Sequence, residues 1–188
     1  MDGLLSVCLG IGLAAACGLR VFVPLLVMSA AAHLGHLELG ESFTWIGSTP
    51  ALVAFAVATL LEVAAYKVPW LDNLLDAAAS PIAVVAGVVV SASVVTGMEP
   101  LLKWTLAVIA GGGVAGSVQA GTVVARQLSS LGTGGLANPL LAALEAGGSL
   151  GLSLVALLLP LLAFLLVLVS CLVAWRLLRR RRRGTPAA

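Results

Sequence analysis

LLSVCLGIGLAAACGLRVFVPLLVMSAAA, residues 4–32, carries a single charge, Arg20, in a stretch otherwise apolar or small. About 20 apolar residues suffice for a helix to cross a bilayer, so this segment is long enough to span. A lone ionised side chain at bilayer depth costs from ~3 to more than ~10 kcal/mol. Arg20 must therefore be paired or face water. Pro24 follows one helical turn later and Gly18 lies just before. Proline removes the hydrogen bond to the carbonyl four residues back, here that of Arg20. The spacing predicts a helix kinked or unwound at Arg20.

Composition extends this reading to the whole chain. Of 188 residues, 61% are hydrophobic and 10% charged, with a mean hydropathy of +1.14. Soluble domains carry about 25% charged residues, so this chain lacks the means to wet its own surface. Further apolar runs cover residues 51–66, 81–97, 104–125 and 149–175. They are continuous rather than alternating, which favours helices over a membrane barrel. Trp45, Trp70, Trp104 and Trp175 lie near run boundaries, where the bilayer interface favours indole. The expectation is an all-α polytopic bundle of five crossings in a single domain, residues 1–178, with the first run retained as a transmembrane helix rather than cleaved.

The net charge of +2 hides an asymmetry. Arg176 and Arg179, Arg180, Arg181, Arg182 and Arg183 supply six of the ten basic residues. Directly after an apolar run, residues 179–188 read as a basic cytoplasmic tail on anionic headgroups rather than a nucleic-acid site. This points to a bacterial cytoplasmic (inner) membrane with the C-terminus inside. Cys8, Cys17 and Cys171 show no CxxC or metal spacing, which argues against a disulfide framework.

The connections refine the topology. Residues 67–80, KVPWLDNLLDAAAS, place Val68, Leu71, Leu74 and Leu75 on one stripe, as in a short interfacial helix. Residues 126–148 are Gly-rich, with Asn138-Pro139 starting a short helix that Glu145 ends before Gly147-Gly148. A half-helix flanked by glycine reads as a re-entrant segment, 138–145. The halves 1–97 and 104–178 each hold a Pro-led segment ending in glutamate between two longer helices. They read either as an inverted repeat, the pattern of many secondary transporters, or as one irregular five-helix bundle.

The candidate site residues are the polar ones inside these runs. Arg20 is either a cation offered to a cavity or the structural partner of Glu62. Glu62 is either a proton or cation site or a buried ion-pair member. Glu145, at the end of its expected half-helix, opposes the helix dipole and needs compensation. Gln119 either lines a path or packs, as do Gly112 and Gly116 in a GxxxG, the pattern of close helix packing. Asp72 and Asp76 share a helix face near Lys67 and read as a solvated face before a cation site. His33 and His36, with Glu38 and Glu41, lack further ligands for a metal. No nucleotide-loop, nucleophile-elbow or HExxH motif occurs, so neither an enzyme nor a cofactor is expected.

AACGLRVFVPLL (15–26), LLEVAAYKVPWLDNLLD (60–76) and GTGGLANPLLAALE (132–145) together resemble a bacterial integral-membrane family known as domain of unknown function 4126. The resemblance spans nearly the whole chain apart from the Arg tail. It implies an α-helical membrane protein and no activity. Its motif positions here are Gly18, Arg20, Pro24, Glu62, Pro69, Asp72, Asp76, Asn138, Pro139 and Glu145; Tyr66 departs from the pattern. The function expected is a small transporter or channel for a proton, ion or small solute. It would be a homo-oligomer, with Arg20, Glu62, Gln119, Asn138 and Glu145 contacting the cargo. The alternative is a non-transporting scaffold or lipid-binding protein.

Overall fold

The computed structural model describes residues 3–65 and 69–183, without the side chains of 69–78, 177, 178 and 180–183. Among the described residues the regular structure is entirely helical: α1 (Gly3–Leu19), α2 (Phe22–His33), a 3-10 turn (Glu41–Gly47), α3 (Thr49–Ala65), α4 (Pro69–Val94), α5 (Pro100–Leu106), α6 (Gly113–Thr133), α7 (Asn138–Leu158) and α8 (Pro160–Arg183). A π-helical segment, Ala107–Gly112, joins α5 to α6, so 100–133 is one helical rod of 34 residues. By length and composition this rod and α7 are able to cross a membrane. The bent pair Glu41–Gly47 and Thr49–Ala65, at 63°, makes a third span if taken as one.

The centre of the fold is α1. Eleven of its seventeen residues are buried, and it packs against α4, α6, α7 and α8. A helix apolar on all sides belongs inside, and the small residues of α1 let its neighbours come close. A Cβ on Gly18 would overlap the Ala115 carbonyl oxygen and meet Val118 Cβ at 2.6 Å, so α1 and α6 touch backbone to backbone. Gly112 and Gly116 lie against the side-chain methyls of Val88 and Val84 of α4, where a Cβ would stand 2.8 and 3.0 Å away. Ser91 donates to Gly10 O at 3.1 Å and Ser149 to Ala16 O at 2.9 Å. The outer faces are greasy: Leu60 is 70% exposed, Leu131 86% and Leu158 77%. Such apolar surface is large for water and ordinary for a bilayer.

Two elbows shape the bundle. The first lies at Arg20-Val21, between α1 and α2. Gly10 and Met28 are eighteen residues apart, about 27 Å along a straight helix. Yet Gly10 accepts from Ser91 and Met28 Sδ accepts from Ser93, on the same turn of α4, so the chain folds back at the break. Pro24 falls in the first turn of α2, where a missing amide costs nothing. The second elbow is at Leu159-Pro160, between α7 and α8. Leu159 leaves the helical region (φ −139°, ψ 69°), because the ring of the following proline disfavours helical backbone at the residue before it. A Cβ on Gly12 would be 2.9 Å from both Ala156 and Ala163, so α1 sits inside this elbow.

Several expectations change. The half-helix 138–145 is the first third of a continuous 21-residue helix that runs through Gly147 and Gly148. The re-entrant segment expected there is absent from the described residues, and the sharp interior reversal lies at Arg20-Val21 instead. The Gly-rich loop shrinks to residues 134–137, because α6 continues to Thr133 and ends on the left-handed Gly134 (φ 62°). The fifth apolar run is split by Pro160. The described part of the interfacial link joins the third run as one helix, α4, through Pro81.

Candidate functional site

The charges inside the apolar runs gather beside the first elbow. At the break, the amides of Val21 and Phe22 have no helical acceptor. Glu62, one turn from the end of α3, supplies it: Oε1 accepts from Val21 N at 2.9 Å and Oε2 from Phe22 N at 3.1 Å. A carboxylate gripped by both oxygens at a helix N-terminus has the favoured polarity. Glu62 thus staples α3 to the start of α2.

Arg20, 2% exposed, reaches α7. Its Nη2 donates to Ala142 O at 3.0 Å and lies 3.3 Å from Glu145 Oε2. Glu145 is thus an ion-pair partner of Arg20 that the sequence reading does not supply, while Arg20 also attracts the Glu62 carboxylate across the elbow. Glu145 is not at a helix end but on the eighth residue of α7, so the dipole penalty expected for it does not arise. Its charge is met by Arg20 and by Arg126 of α6, whose Nε donates to Oε1 at 3.1 Å and whose Nη2 donates to Oε2. This two-pronged grip matches a planar guanidinium to a carboxylate.

Arg126 was missing from the sequence reading. The sequence opens its Gly-rich segment at Arg126, whereas the residue lies two turns inside α6 and is 4% exposed. Two signals pointed to it: it is the one basic residue between Lys103 and Arg176, and it stands seven residues after Gln119. Seven residues are two helical turns, and Ala115, Gln119 and Arg126 form the buried stripe of α6. Gln119 therefore lies on the face leading to the charges.

The other candidates lie apart. Asn138 donates to Ser130 Oγ at 3.0 Å and ties the α6–α7 turn, with Pro139 exposed beside it at the head of α7. Pro24 is fully buried below the elbow. Pro69, Asp72, Asp76 and Arg180 to Arg183 have side chains outside the described residues, as does Lys67 entirely. His33 Nδ1 donates to Gly47 O at 2.9 Å. Among the described residues no three of His, Cys, Asp and Glu gather as metal ligands.

This arrangement offers two carboxylates in different states of engagement. Glu145 is locked between two guanidiniums. Glu62 holds two backbone amides that another anion is able to hold. No curated protein and no solved structure matches the chain. The family model described as Domain of unknown function (DUF4126) matches residues 7–180, and the chain belongs to that family.

Proposed function

We propose that this protein is a small membrane transporter or channel for a proton, ion or small solute, with Glu62 as the exchangeable group. The observation that carries this reading is the carboxylate of Glu62 on the freed amides of a broken helix, beside a buried Arg20–Glu145–Arg126 cluster. Broken helices with their amides turned to a charged group are the construction of many transporter sites. A proton on Glu62 removes its charge and weakens its hold on Val21 and Phe22. The amides are then available to an anionic group, or the proton itself is the cargo. Five crossings, halves related as an inverted repeat, a homo-oligomer and an inner-membrane setting with the C-terminus inside belong to this same reading.

The test is proton and ion flux in proteoliposomes under an imposed potential, wild type against Glu62→Gln. Glutamine keeps one acceptor oxygen for the elbow and loses the titratable charge. Flux in the wild type and none in the variant supports the reading; equal flux in both removes Glu62 from the pathway.

A second reading is favoured by the completeness of the same contacts. Both oxygens of Glu62 and both of Glu145 are engaged, as a static scaffold requires. On that reading wild-type liposomes show no flux while Glu62→Gln lowers stability alone.

A further inference from the structure

The α6 helix has two unlike faces. Gln119, Thr122, Arg126, Ser129 and Thr133 fall within about 80° of arc around it. Val124, Leu128 and Leu131, all exposed, lie on the opposite side. The polar stripe starts at the exposed Thr133, beside the α6–α7 turn, and runs inward past the Arg126–Glu145 pair. Glu145 stands seven residues from the start of α7, a helix long enough to cross a membrane. The pair therefore lies about 10.5 Å in from that end. Polar side chains at such depth face the bundle interior or a water-filled space.

Two hydroxyls point to water. A helical serine or threonine satisfies its own hydroxyl by donating to the carbonyl four residues back. Thr105, Ser117, Thr133, Ser153 and Ser170 do so, at 2.7–2.8 Å. Thr59 and Ser129 do not: both oxygens are buried, and neither bonds to any group among the described residues. Each stands three residues from a charge of the cluster, Thr59 before Glu62 and Ser129 after Arg126. Glu62 is itself drawn by Arg126. A buried hydroxyl bonded to nothing is costly. A small guest that both donates and accepts, as water does, removes that cost at both places.

We infer that water enters the bundle along the polar face of α6, from Thr133 past Arg126 to Thr122, and is held by the hydroxyls of Ser129 and Thr59. This crevice gives Glu62 a route to water from the α6–α7 end. That use of it rests on the transport reading, whereas the crevice itself is tested without flux.

The experiment measures thiol reactivity on the two faces of α6. Single substitutions are made in a Cys171→Ser background, which keeps only the buried Cys8 and Cys17. Ser129→Cys and Thr122→Cys probe the stripe. Leu128→Cys and Val124→Cys, at similar depth, probe the opposite face. The full chain in lipid nanodiscs, where a reagent reaches both sides, is treated with a charged methanethiosulfonate. The reagent reacts with the ionised thiol and so reports water at the sulfur. The stripe variants are expected to react at least about tenfold faster than the lipid-facing ones. Circular dichroism confirms that each variant is folded, and where one stripe variant fails to fold the other decides. Equal rates on the two faces overturn the proposal: fast on both puts this end of α6 in bulk water, and slow on both makes the stripe dry packing. A fast stripe in a protein that carries no flux keeps the crevice and removes the transport reading alone.

Discussion

The buried cluster yields a quantitative prediction through Arg126 and Glu145. Glu145 is 8% exposed and Arg126 4%, so neither charge is screened by water. At 3.3 Å and an effective dielectric of ~20, Arg20 and Glu145 attract by about 5 kcal/mol, and Arg126 adds a comparable attraction. Most of this is offset by the cost of removing the ions from solvent. Breaking a buried pair by deleting one partner costs roughly 3–5 kcal/mol, whereas replacing both by apolar groups is often neutral. Glu145→Leu is expected at or above that range, since it strands two guanidiniums. Arg126→Met is expected at about 2–3 kcal/mol, because Glu145 keeps Arg20. The double variant is expected to cost at least ~2 kcal/mol less than the sum of the singles. Unfolding in mixed micelles, followed by circular dichroism across a denaturing-detergent series, measures all four corners of the cycle. Additivity within ~0.5 kcal/mol, the behaviour of independent sites, would refute the assignment of this pair as a coupled unit.

The elbow is tested by Glu62→Ala, which strands two amides. It is expected to cost roughly 2–4 kcal/mol in the same unfolding assay, with Glu62→Gln recovering about half. Gly18→Ala is expected to cost about 1–3 kcal/mol by forcing α1 away from the Ala115 carbonyl, while Gly121→Ala, which meets nothing within 4 Å, is neutral or stabilising; thermal unfolding compares them. On the proposed orientation, with the Arg run on the cytoplasmic side, a phosphatase fused after residue 188 is expected to be inactive and a fused fluorescent protein bright; the opposite pattern reverses the orientation.

How much of this was legible in the sequence differed by kind of feature. The membrane-type helices followed from composition alone. The elbow at Leu159 was marked by Pro160 in the middle of a run, and the one at Arg20 by Pro24. The latter reads as a kink or an unwound turn, and the structure has the break, with Pro24 in the first turn of the helix that follows. Individual charges stood out because each was costly where it lay, but their partners did not. Pairing depends on which helices meet, and Arg20 and Glu145 are 125 positions apart. Glycine misled twice. Gly147-Gly148 reads as a stop, yet α7 continues: a Cβ on Gly148 would stand only 3.5 Å from Leu19, and Ser149 bonds Ala16. These contacts oppose the ~1 kcal/mol that each interior glycine costs. Ser129, Ser130 and the glycines from Gly132 onward suggest a loop beginning at Arg126, and so hide Arg126 inside α6.

The two carboxylates also differ in what their release would do. Glu145 joins α6 and α7 to the end of α1 through side-chain ion pairs, and α1 is wedged by Gly12 in the second elbow and by Gly18 against α6. Loss of that cluster loosens three packed helices at once. Glu62 joins α3 to the start of α2 through backbone amides, and α2 beyond it packs chiefly on α3 and α7. Its release frees one elbow and leaves the rest in place. On the transport reading, a moving part belongs where release is local. Hydrogen exchange at Val21 and Phe22 is therefore expected to accelerate in Glu62→Gln while the amides of 9–16 keep their protection. Uniform acceleration across α1 would show that the elbow and the core open together, and would remove Glu62 as a separable switch.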